Sequence, residues 1–195
     1  MILEKDLEDM IYCANPEDLR KAGLPMWKNL VQQVRLGNYG IADLINFEII
    51  DVLKDKIIVK PTIIELKQGK VGEEAFFQAL RYSKGIEELY CRKISKEKKV
   101  IFRDFEIVLI GNRVDTRSNL IYISDICRNI SFYSTQITLN GIEFKNEFGY
   151  KLTDQGEISE DSLSYLQEEW EMMVDSFNFE AFENDKKLLK EHLGK

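Results

Sequence analysis

One stretch of the sequence, residues 105–111, constrains the fold more than any other, because almost all of its side chains are apolar. A strand with one solvated face alternates apolar and polar residues, whereas a strand buried on both faces is apolar almost throughout. We therefore expect a central or well-covered strand in a sheet with helices packed on it. A chain of 195 residues can form one such domain with additions.

The segments before this strand predict a helix followed by a hairpin. Apolar residues recur at helical spacing over residues 2–14, and Asn15-Pro16 should end that helix because proline disfavours helical geometry in the residue before it. Residues 29–35 and 41–50 are rich in Val, Ile and Phe, and the turn dipeptide Gly37-Asn38 lies between them. Two strands joined in a hairpin are predicted.

A third strand and a second helix complete the predicted core. The strand covers residues 57–67, and its Pro61 is expected at an edge or a bulge because proline cannot donate to a strand ladder. Gly69 and Gly72 are expected to end the strand. Residues 73–90 place apolar side chains on one helical face.

The remainder of the chain is predicted as an extension of this core. Residues 118–129 fit a helix or a strand, and residues 131–139 and 142–150 alternate around Asn140-Gly141, a strong hairpin signal. Residues 160–176 fit an acidic amphipathic helix. We predict a core over residues 1–114 and a C-terminal extension over 115–195.

Charge is distributed unevenly, and this bears on the class of partner. The net charge is −7, but residues 154–195 alone contain twelve acidic and four basic side chains. The rest of the chain is therefore nearly neutral, and residues 84–103 contain seven basic and three acidic side chains. That segment is either a basic binding surface or a solvated loop, so nucleic acid stays open as a partner.

Cysteine and histidine usage excludes several kinds of chemistry. The three cysteines are scattered, which predicts reduced thiols in a cytoplasmic protein rather than a disulfide framework or a zinc site. The single histidine, His192, lies near the C-terminus, so a histidine-based triad is not expected. The acidic N-terminus and the short apolar runs predict neither an export signal nor a membrane segment. Carboxylates and lysine are the expected reactive groups.

Three charged residues of the predicted hairpin and third strand form the candidate site. Strand alternation places Glu65 and Lys67 on one face, and Asp43 could converge on them if the strands pair. Two adjacent carboxylates repel each other, which a divalent cation with oxygen ligands would relieve. An ion pair at a half-exposed strand end, without any function, is the other interpretation.

Further residues at fixed spacing favour the functional interpretation. Gly40 precedes Asp43 by three residues, Gln78 and Tyr82 lie one turn apart on the second helix, and Arg81 is beside them. In this order, Gly40-x-x-Asp43, Glu65-x-Lys67 and Gln78-x-x-x-Tyr82 resemble the three-part signature of RecB-like nucleases in the PD-(D/E)XK superfamily. The opening Glu4-x-x-Leu7-x-x-x-Ile11 with Asn15-Pro16 is also similar to the catalytic domain of NucS-type DNA endonucleases, so the resemblance spans residues 2–112.

The resemblance implies a restriction-endonuclease-like fold with an αβββαβ core and assigns roles within it. Asp43 and Glu65 would bind Mg²⁺ or Mn²⁺, the Leu66 carbonyl could add a ligand, and Lys67 would position the attacking water. Gln78 and Tyr82 would support the site or a phosphate.

The resemblance also implies a further ligand, because many nucleases of that superfamily add a glutamate from the first helix. Glu4 lies about 70° and Glu8 about 110° from the centre of the apolar stripe, so we favour Glu4 and keep Glu8 as its substitute.

The leading functional hypothesis is a metal-dependent phosphodiesterase that acts on DNA, with a homodimer as one open assembly. The basic residues expected to bind the substrate are Arg35, Lys70, Arg81 and Lys84. The alternatives are a nuclease-fold module that binds DNA or a protein without cutting, and a structural subunit with an ion-paired sheet edge.

Overall fold

The computed structural model describes residues 3–26, 30–53, 56–93, 100–139 and 141–149 of the chain. The helices are α1 (Glu4–Cys13), α2 (Pro16–Lys21), α3 (Glu73–Lys93) and α4 (Leu120–Ile126), with a 3-10 turn at Gly37–Tyr39. The strands are β1 (Leu30–Arg35), β2 (Ile41–Leu53), β3 (Lys56–Val71), β4 (Val100–Phe102), β5 (Glu106–Val114), β6 (Ile130–Thr138) and β7 (Gly141–Gly149). None of the helices in these ranges is both long and apolar enough to cross a membrane.

All seven described strands belong to one mixed sheet, in the order β1-β2-β3-β5-β6-β7, with β4 also paired to β3. The β1–β2, β2–β3 and β6–β7 pairs are antiparallel. The β3–β4, β3–β5 and β5–β6 pairs are parallel. The parallel return from β3 to β5 passes through α3, as a crossover between parallel strands requires. The fold is therefore α/β, with a mixed sheet flanked by helices.

Each face of the sheet has its own apolar core. One core joins α3, through Ala79 and Tyr82, to the sheet, and we call it the α3-side core. The other joins α1, through Leu7, and α2, through Leu19, to the opposite face, and we call it the α1-side core. Along β5, Leu109 belongs to the α3-side core and Val108 to the α1-side core. The prediction of a strand buried on both faces is confirmed.

Pro61 was expected at an edge or a bulge, and the edge position is wrong. Pro61 is buried within β3 and lies opposite Phe47 of β2. On the other side of β3, pairing with β4 ends at Val59 and pairing with β5 starts at Thr62. Pro61, which has no N–H group, therefore lies where the parallel neighbour of β3 changes from β4 to β5. An interior strand can accommodate a proline at such a position.

Of the two glycines expected to end the third strand, Gly72 does so, whereas the expectation for Gly69 is wrong. β3 continues to Val71, and its register against β5 shifts between Lys67 and Lys70. A Cβ atom on Gly111 of β5 would lie 2.9 Å from the Gly69 carbonyl oxygen, so β5 has no side chain where the irregular part of β3 approaches it. The strand therefore passes through Gly69, within the irregular stretch, and ends directly before Gly72.

The C-terminal hairpin is confirmed, and the ambiguous segment before it is helical. β6 and β7 pair with Thr138 opposite Gly141, as Asn140-Gly141 predicted, and α4 lies within residues 118–129. Since β6 pairs with β5, the hairpin continues the main sheet. The short strand β4 was not predicted from the sequence. The proposed acidic helix 160–176 lies outside the described residues, and the division at residue 114 remains a prediction.

Candidate active site

The candidate site lies where β2 and β3 separate. Their pairing ends with Leu44 opposite Ile64, so Asp43 and Glu65 are the next residues on the two strands. Residues in opposed positions of an antiparallel pair project from the same side of the sheet. The two carboxylates therefore lie next to each other at the point where the ladder opens.

Asp43 is held by the backbone of the neighbouring strand. Its Oδ2 accepts a hydrogen bond of 2.8 Å from the Leu66 N–H group. Burial raises the pKa of Asp43 to about 6, while that hydrogen bond and the charge of Lys67 act in the opposite direction. Folding therefore places this carboxylate where its charge is poorly solvated.

Glu65 is the most buried acidic side chain of the site, with 1% of its surface exposed. Its Oε1 accepts a 2.5 Å hydrogen bond from Lys67 Nζ, whereas its Oε2 is buried without a partner among the described residues. Burial, and then the charge of Asp43, raise the pKa of Glu65 to about 7. An unpaired buried carboxylate oxygen is costly and needs an explanation.

Lys67 is half-buried beside these acids. Burial by itself would lower the pKa of its ammonium group, but the hydrogen bond to Glu65 and the nearby carboxylates raise that pKa above its ordinary value. The Lys67 side chain therefore keeps its positive charge within the site. It pairs with only one oxygen of Glu65, so the acids are incompletely neutralised.

Two glutamates of α1 approach the same place from the helix side. Glu4 Oε2 accepts a 3.1 Å hydrogen bond from the Gln68 N–H group. Glu8 is 4% exposed, and its Oε1 accepts a 2.7 Å hydrogen bond from Gln33 Nε2. The charges of both glutamates contribute to the raised pKa of Asp43. The structure thus brings both candidates near the site, and Glu8 is the more buried.

Helix α3 supplies the predicted supporting pair. Gln78 Nε2 donates a 2.5 Å hydrogen bond to the Tyr82 hydroxyl, and Tyr82 is 1% exposed. Burial raises the pKa of Tyr82, and the charges of Glu65 and Asp43 raise it further. The Tyr82 hydroxyl is therefore uncharged, and it lies close enough to Glu65 and Asp43 for their charges to act on it.

Gly40 has a clear structural reason for its position in the motif. Its φ of +109° is unfavourable for other residues, and an added Cβ would lie 3.0 Å from the Tyr82 ring. Arg81 also approaches this point, with its guanidinium carbon 6.0 Å from the centre of the same ring. The first and third motifs therefore pack directly against each other.

The basic residues expected to bind substrate are distributed around the site. Arg81 is exposed, and Arg35 is half-buried at the end of β1. Lys70 is exposed and forms an ion pair with Asp115, while exposed Lys84 pairs with Glu87 at 3.3 Å. The Leu66 side chain is buried in the α1-side core, so only its backbone faces the site.

Sequence reasoning missed two polar residues that shape this region. Gln33 contacts Glu8, as described above, and Asn112 Nδ2 donates a 2.6 Å hydrogen bond to the Gln68 carbonyl oxygen. Asn112 thereby fastens the irregular segment of β3 that follows Lys67. Neither residue belongs to a motif, and no spacing signal in the sequence could have identified them.

The side chains present fit a divalent cation in chemistry, although their arrangement is not that of a preformed cage. Oxygen donors from Asp43 and Glu65 suit Mg²⁺ or Mn²⁺, and the unpaired Oε2 of Glu65 offers a free ligand atom. Within the described ranges, no group of three or more His, Cys, Asp or Glu residues is arranged to hold a metal ion. Asp43 and Glu65 instead point to the Leu66 N–H and to Lys67.

Comparisons with known proteins yield no relatives: no family model matches the chain, and neither a curated protein nor a solved structure is significantly similar to it.

Proposed function

We propose that this chain is a metal-dependent phosphodiesterase that cuts DNA, built on a restriction-endonuclease-like core of the PD-(D/E)XK type. One observation carries the proposal. Asp43 and Glu65 lie side by side where β2 and β3 separate, both have raised pKa values, and a buried oxygen of Glu65 has no partner among the described residues. Strand pairing alone does not require two poorly solvated acids at neighbouring positions, so this arrangement is typical of a functional site.

Asp43 and Glu65 would hold the cation, with the Leu66 carbonyl and an α1 glutamate as further oxygen donors. A bound Mg²⁺ or Mn²⁺ would polarise the phosphate and lower the pKa of a water molecule. The two acids carry more negative charge than Lys67 neutralises, so the site has an affinity for an additional positive charge. Binding a cation would also remove the penalty of burying Glu65 Oε2.

Lys67 would orient the attacking water and stabilise the charge that develops on the phosphate. Its ammonium group is already fixed beside Glu65 by a 2.5 Å hydrogen bond, and it has two more N–H bonds to offer. Gln78 and Tyr82 would support this pocket from α3. Tyr82 stays protonated, so its hydroxyl can donate to a phosphate oxygen while Gln78 holds it.

DNA would be held by basic side chains around the opening. Arg35 and Arg81 come from the β1 and α3 sides, and Lys70 and Lys84 lie beyond them. Lys70 and Lys84 are exposed and engaged in surface ion pairs, which are weak and can be exchanged for phosphate contacts. Such contacts give an affinity that falls steeply with salt.

A second function, DNA or protein binding without cleavage, is favoured by one observation. Lys67 occupies the position of a cation beside Glu65, and the described residues do not form a ready cage of three or more ligands. A protein that had lost catalysis could keep this internal ion pair for stability. The two functions differ in their dependence on divalent cations.

A nuclease assay separates them. The full chain is incubated with single-stranded, duplex and branched DNA in Mg²⁺, in Mn²⁺ and in EDTA. Cleavage that requires the cation, and that is lost in Asp43→Asn but not in Asp51→Asn, supports the proposal. Asp51 is a matched control because it is an exposed acid of the same strand. Cation-independent DNA binding with no cleavage of any form would favour the binding module.

A further inference from the structure

β3 is irregular directly after Lys67. Between Lys67 and Lys70 the strand advances three residues while its partner β5 advances two. The extra residue makes this irregularity a β-bulge, and Asn112 is the residue of β5 that lies opposite it. Bulges are rare between parallel strands, and they are over-represented beside active sites, where they redirect a side chain. The position of this bulge, next to the lysine of the candidate site, therefore needs an explanation.

The backbone of Gln68 shows where the strand turns. In a regular strand, the N–H and C=O groups of one residue point to the same neighbouring strand. At Gln68 the N–H group donates a 3.1 Å hydrogen bond to Glu4 Oε2 of α1, whereas the carbonyl oxygen accepts a 2.6 Å hydrogen bond from Asn112 Nδ2 of β5. The two groups have different neighbours, so the chain rotates within Gln68.

The end of the ladder to β2 explains why side chains hold this part of β3. That ladder ends at Ile64, and the next N–H groups on the same side of the strand belong to Leu66 and Gln68. Both donate to carboxylates, the first to Asp43 and the second to Glu4. Lys67 therefore lies between two residues whose N–H groups are held by side chains in place of a strand.

Two consecutive residues of β5 fit the bulge. A Cβ atom added to Gly111 would lie 3.1 Å from the Lys67 carbonyl oxygen and 2.9 Å from that of Gly69, so the glycine gives the bulge its room. Asn112 gives it a donor. The Thr135 hydroxyl of β6 lies 3.3 Å from Asn112 Oδ1 and donates to it, which orients the amide so that its Nδ2 faces the bulge.

Asn112 is suited to set the path of the backbone more than the stability of the fold. Its side chain is exposed, so it adds little to the apolar cores. The carbonyl group that it holds belongs to the residue directly after Lys67, whose Nζ atom must meet Glu65 Oε1 at 2.5 Å. A displacement of about 1 Å at a catalytic group can reduce a rate by about 10²-fold.

We propose that Asn112 is a positioning residue, which holds the Gln68 carbonyl group and so fixes the bulge that directs the Lys67 ammonium group into the candidate site. This inference rests on the proposed function, in which Lys67 orients the attacking water. It extends the site to β5, from which none of the motif residues comes.

The kinetic test uses Asn112→Ala and Asn112→Leu, the second of which keeps the size of the side chain without its donor. Both should lower kcat for DNA cleavage by about tenfold to 10²-fold and leave KM within about twofold, because Lys67 acts on the transition state. The matched control is Asn119→Ala, which removes another exposed amide that donates 2.9 Å to Glu73. The control should keep kcat within about twofold of wild type.

A double-mutant cycle identifies the route of the effect. If Asn112 acts through Lys67, adding Asn112→Ala to Lys67→Ala should cause no further loss of kcat. A purely structural role of Asn112 would instead lower kcat by the same factor in both backgrounds.

A chemical measurement tests the position of Lys67 without DNA or metal. Acetic anhydride modifies free amines, and mass spectrometry gives the rate at each lysine. Lys67 is bonded to Glu65, so it should react slowly in the wild type and several times faster in Asn112→Ala. Exposed Lys5 serves as the internal reference and should react at the same rate in both proteins.

Two results would overturn the inference alone: an active wild type whose kcat and Lys67 labelling are unchanged by Asn112→Ala, or a loss of kcat that persists in the Lys67→Ala background. A wild type that cuts no form of DNA in Mg²⁺ or Mn²⁺ would overturn the proposed function. The labelling rates would then still show whether Asn112 holds Lys67 in place.

Discussion

Lys67 Nζ and Glu65 Oε1 are 2.5 Å apart, while the other oxygen of the same carboxylate is buried and has no partner among the described residues. A purely structural ion pair between neighbours on a strand would use both oxygens or leave the second one in water. In this protein Lys67 neutralises one oxygen of Glu65, and the other oxygen is buried away from solvent. Only one of the two Glu65 oxygens is thus paired, which distinguishes this contact from an ordinary ion pair at a strand end.

Replacement of Lys67 by alanine should separate cleavage from binding. We expect DNA cleavage to fall by about 10²-fold, the effect of losing one positioned catalytic group. Affinity for DNA should change little, because it is shared by several phosphate contacts. Cleavage kinetics and fluorescence anisotropy at one salt concentration measure the two effects. Lys145→Ala, which removes a β7 lysine paired with Glu147 at 3.1 Å, is the control. Wild-type cleavage by the Lys67 variant would exclude the role assigned to this lysine.

Replacement of Asp43 by asparagine should stabilise the metal-free protein near neutral pH. Because burial raises the pKa of Asp43 from 3.8 to about 6, its contribution to stability is complete below 3.8 and is lost as the pH rises through 6. Asparagine is neutral throughout and can still accept the Leu66 N–H bond. Urea unfolding in EDTA should therefore give a gain of roughly 1 kcal/mol or more at pH 7.5 and little difference near pH 4. A variant that is less stable than wild type at pH 7.5 would contradict this.

Two glycines before Asp43 should respond differently to alanine. At Gly40, φ is +109°, ψ is −156° and Tyr82 is in contact, so Gly40→Ala combines backbone strain with a clash. At Gly37, φ is +58° and an added Cβ would meet nothing within 4 Å. Denaturant unfolding should show losses of about 2–4 kcal/mol for Gly40→Ala and about 1 kcal/mol for Gly37→Ala. Equal losses would mean that contact with Tyr82 does not constrain Gly40.

A second group of buried charges, far from the motif positions, should matter for stability alone. Lys60 Nζ lies 2.7 Å from Glu48 and 3.3 Å from Glu106, and burial raises the pKa of Glu48. Lys60→Met would leave two buried acids uncompensated, and we expect a loss of about 3–5 kcal/mol in denaturant unfolding. Adding Glu48→Gln and Glu106→Gln should restore part of that stability. A loss below about 1 kcal/mol would show that this cluster is not a buried ion network.

The sequence predicted the elements whose signals are local. The hairpin around Gly37-Asn38, helix α3, the buried strand β5 and the β6–β7 hairpin each have a periodic or turn signal, and each is present. Pro61 and Gly69 were misjudged because their positions depend on which strands lie beside β3. β4, with three residues, is too short to show a period.

The candidate site was predictable in part because some of its residues also have a local signal in the sequence. Motif spacing selected Asp43, Glu65, Lys67, Gln78 and Tyr82, and the structure brings these five residues into one region. The helical wheel favoured Glu4 over Glu8, and both stay candidates: the charge of Glu4 raises the pKa values of Asp43 and Glu65, and the charge of Glu8 raises that of Asp43. The hydrogen bond from Gln33 to Glu8 was not predictable, because the sequence gives no signal for the left-handed backbone conformation of Gln33.

The position of β3 within the sheet determines how each part of the site can move. Glu65 and Lys67 pair with β5 on one side, while the ladder to β2 on the other side ends at Ile64, so releasing their backbone requires the β3–β5 ladder to open. β1, at the edge of the described sheet, can detach from β2 at a much smaller free energy. Glu65 is therefore the more firmly held acid of the site, and the contact between Gln33 and Glu8 is the part that local opening of β1 can release.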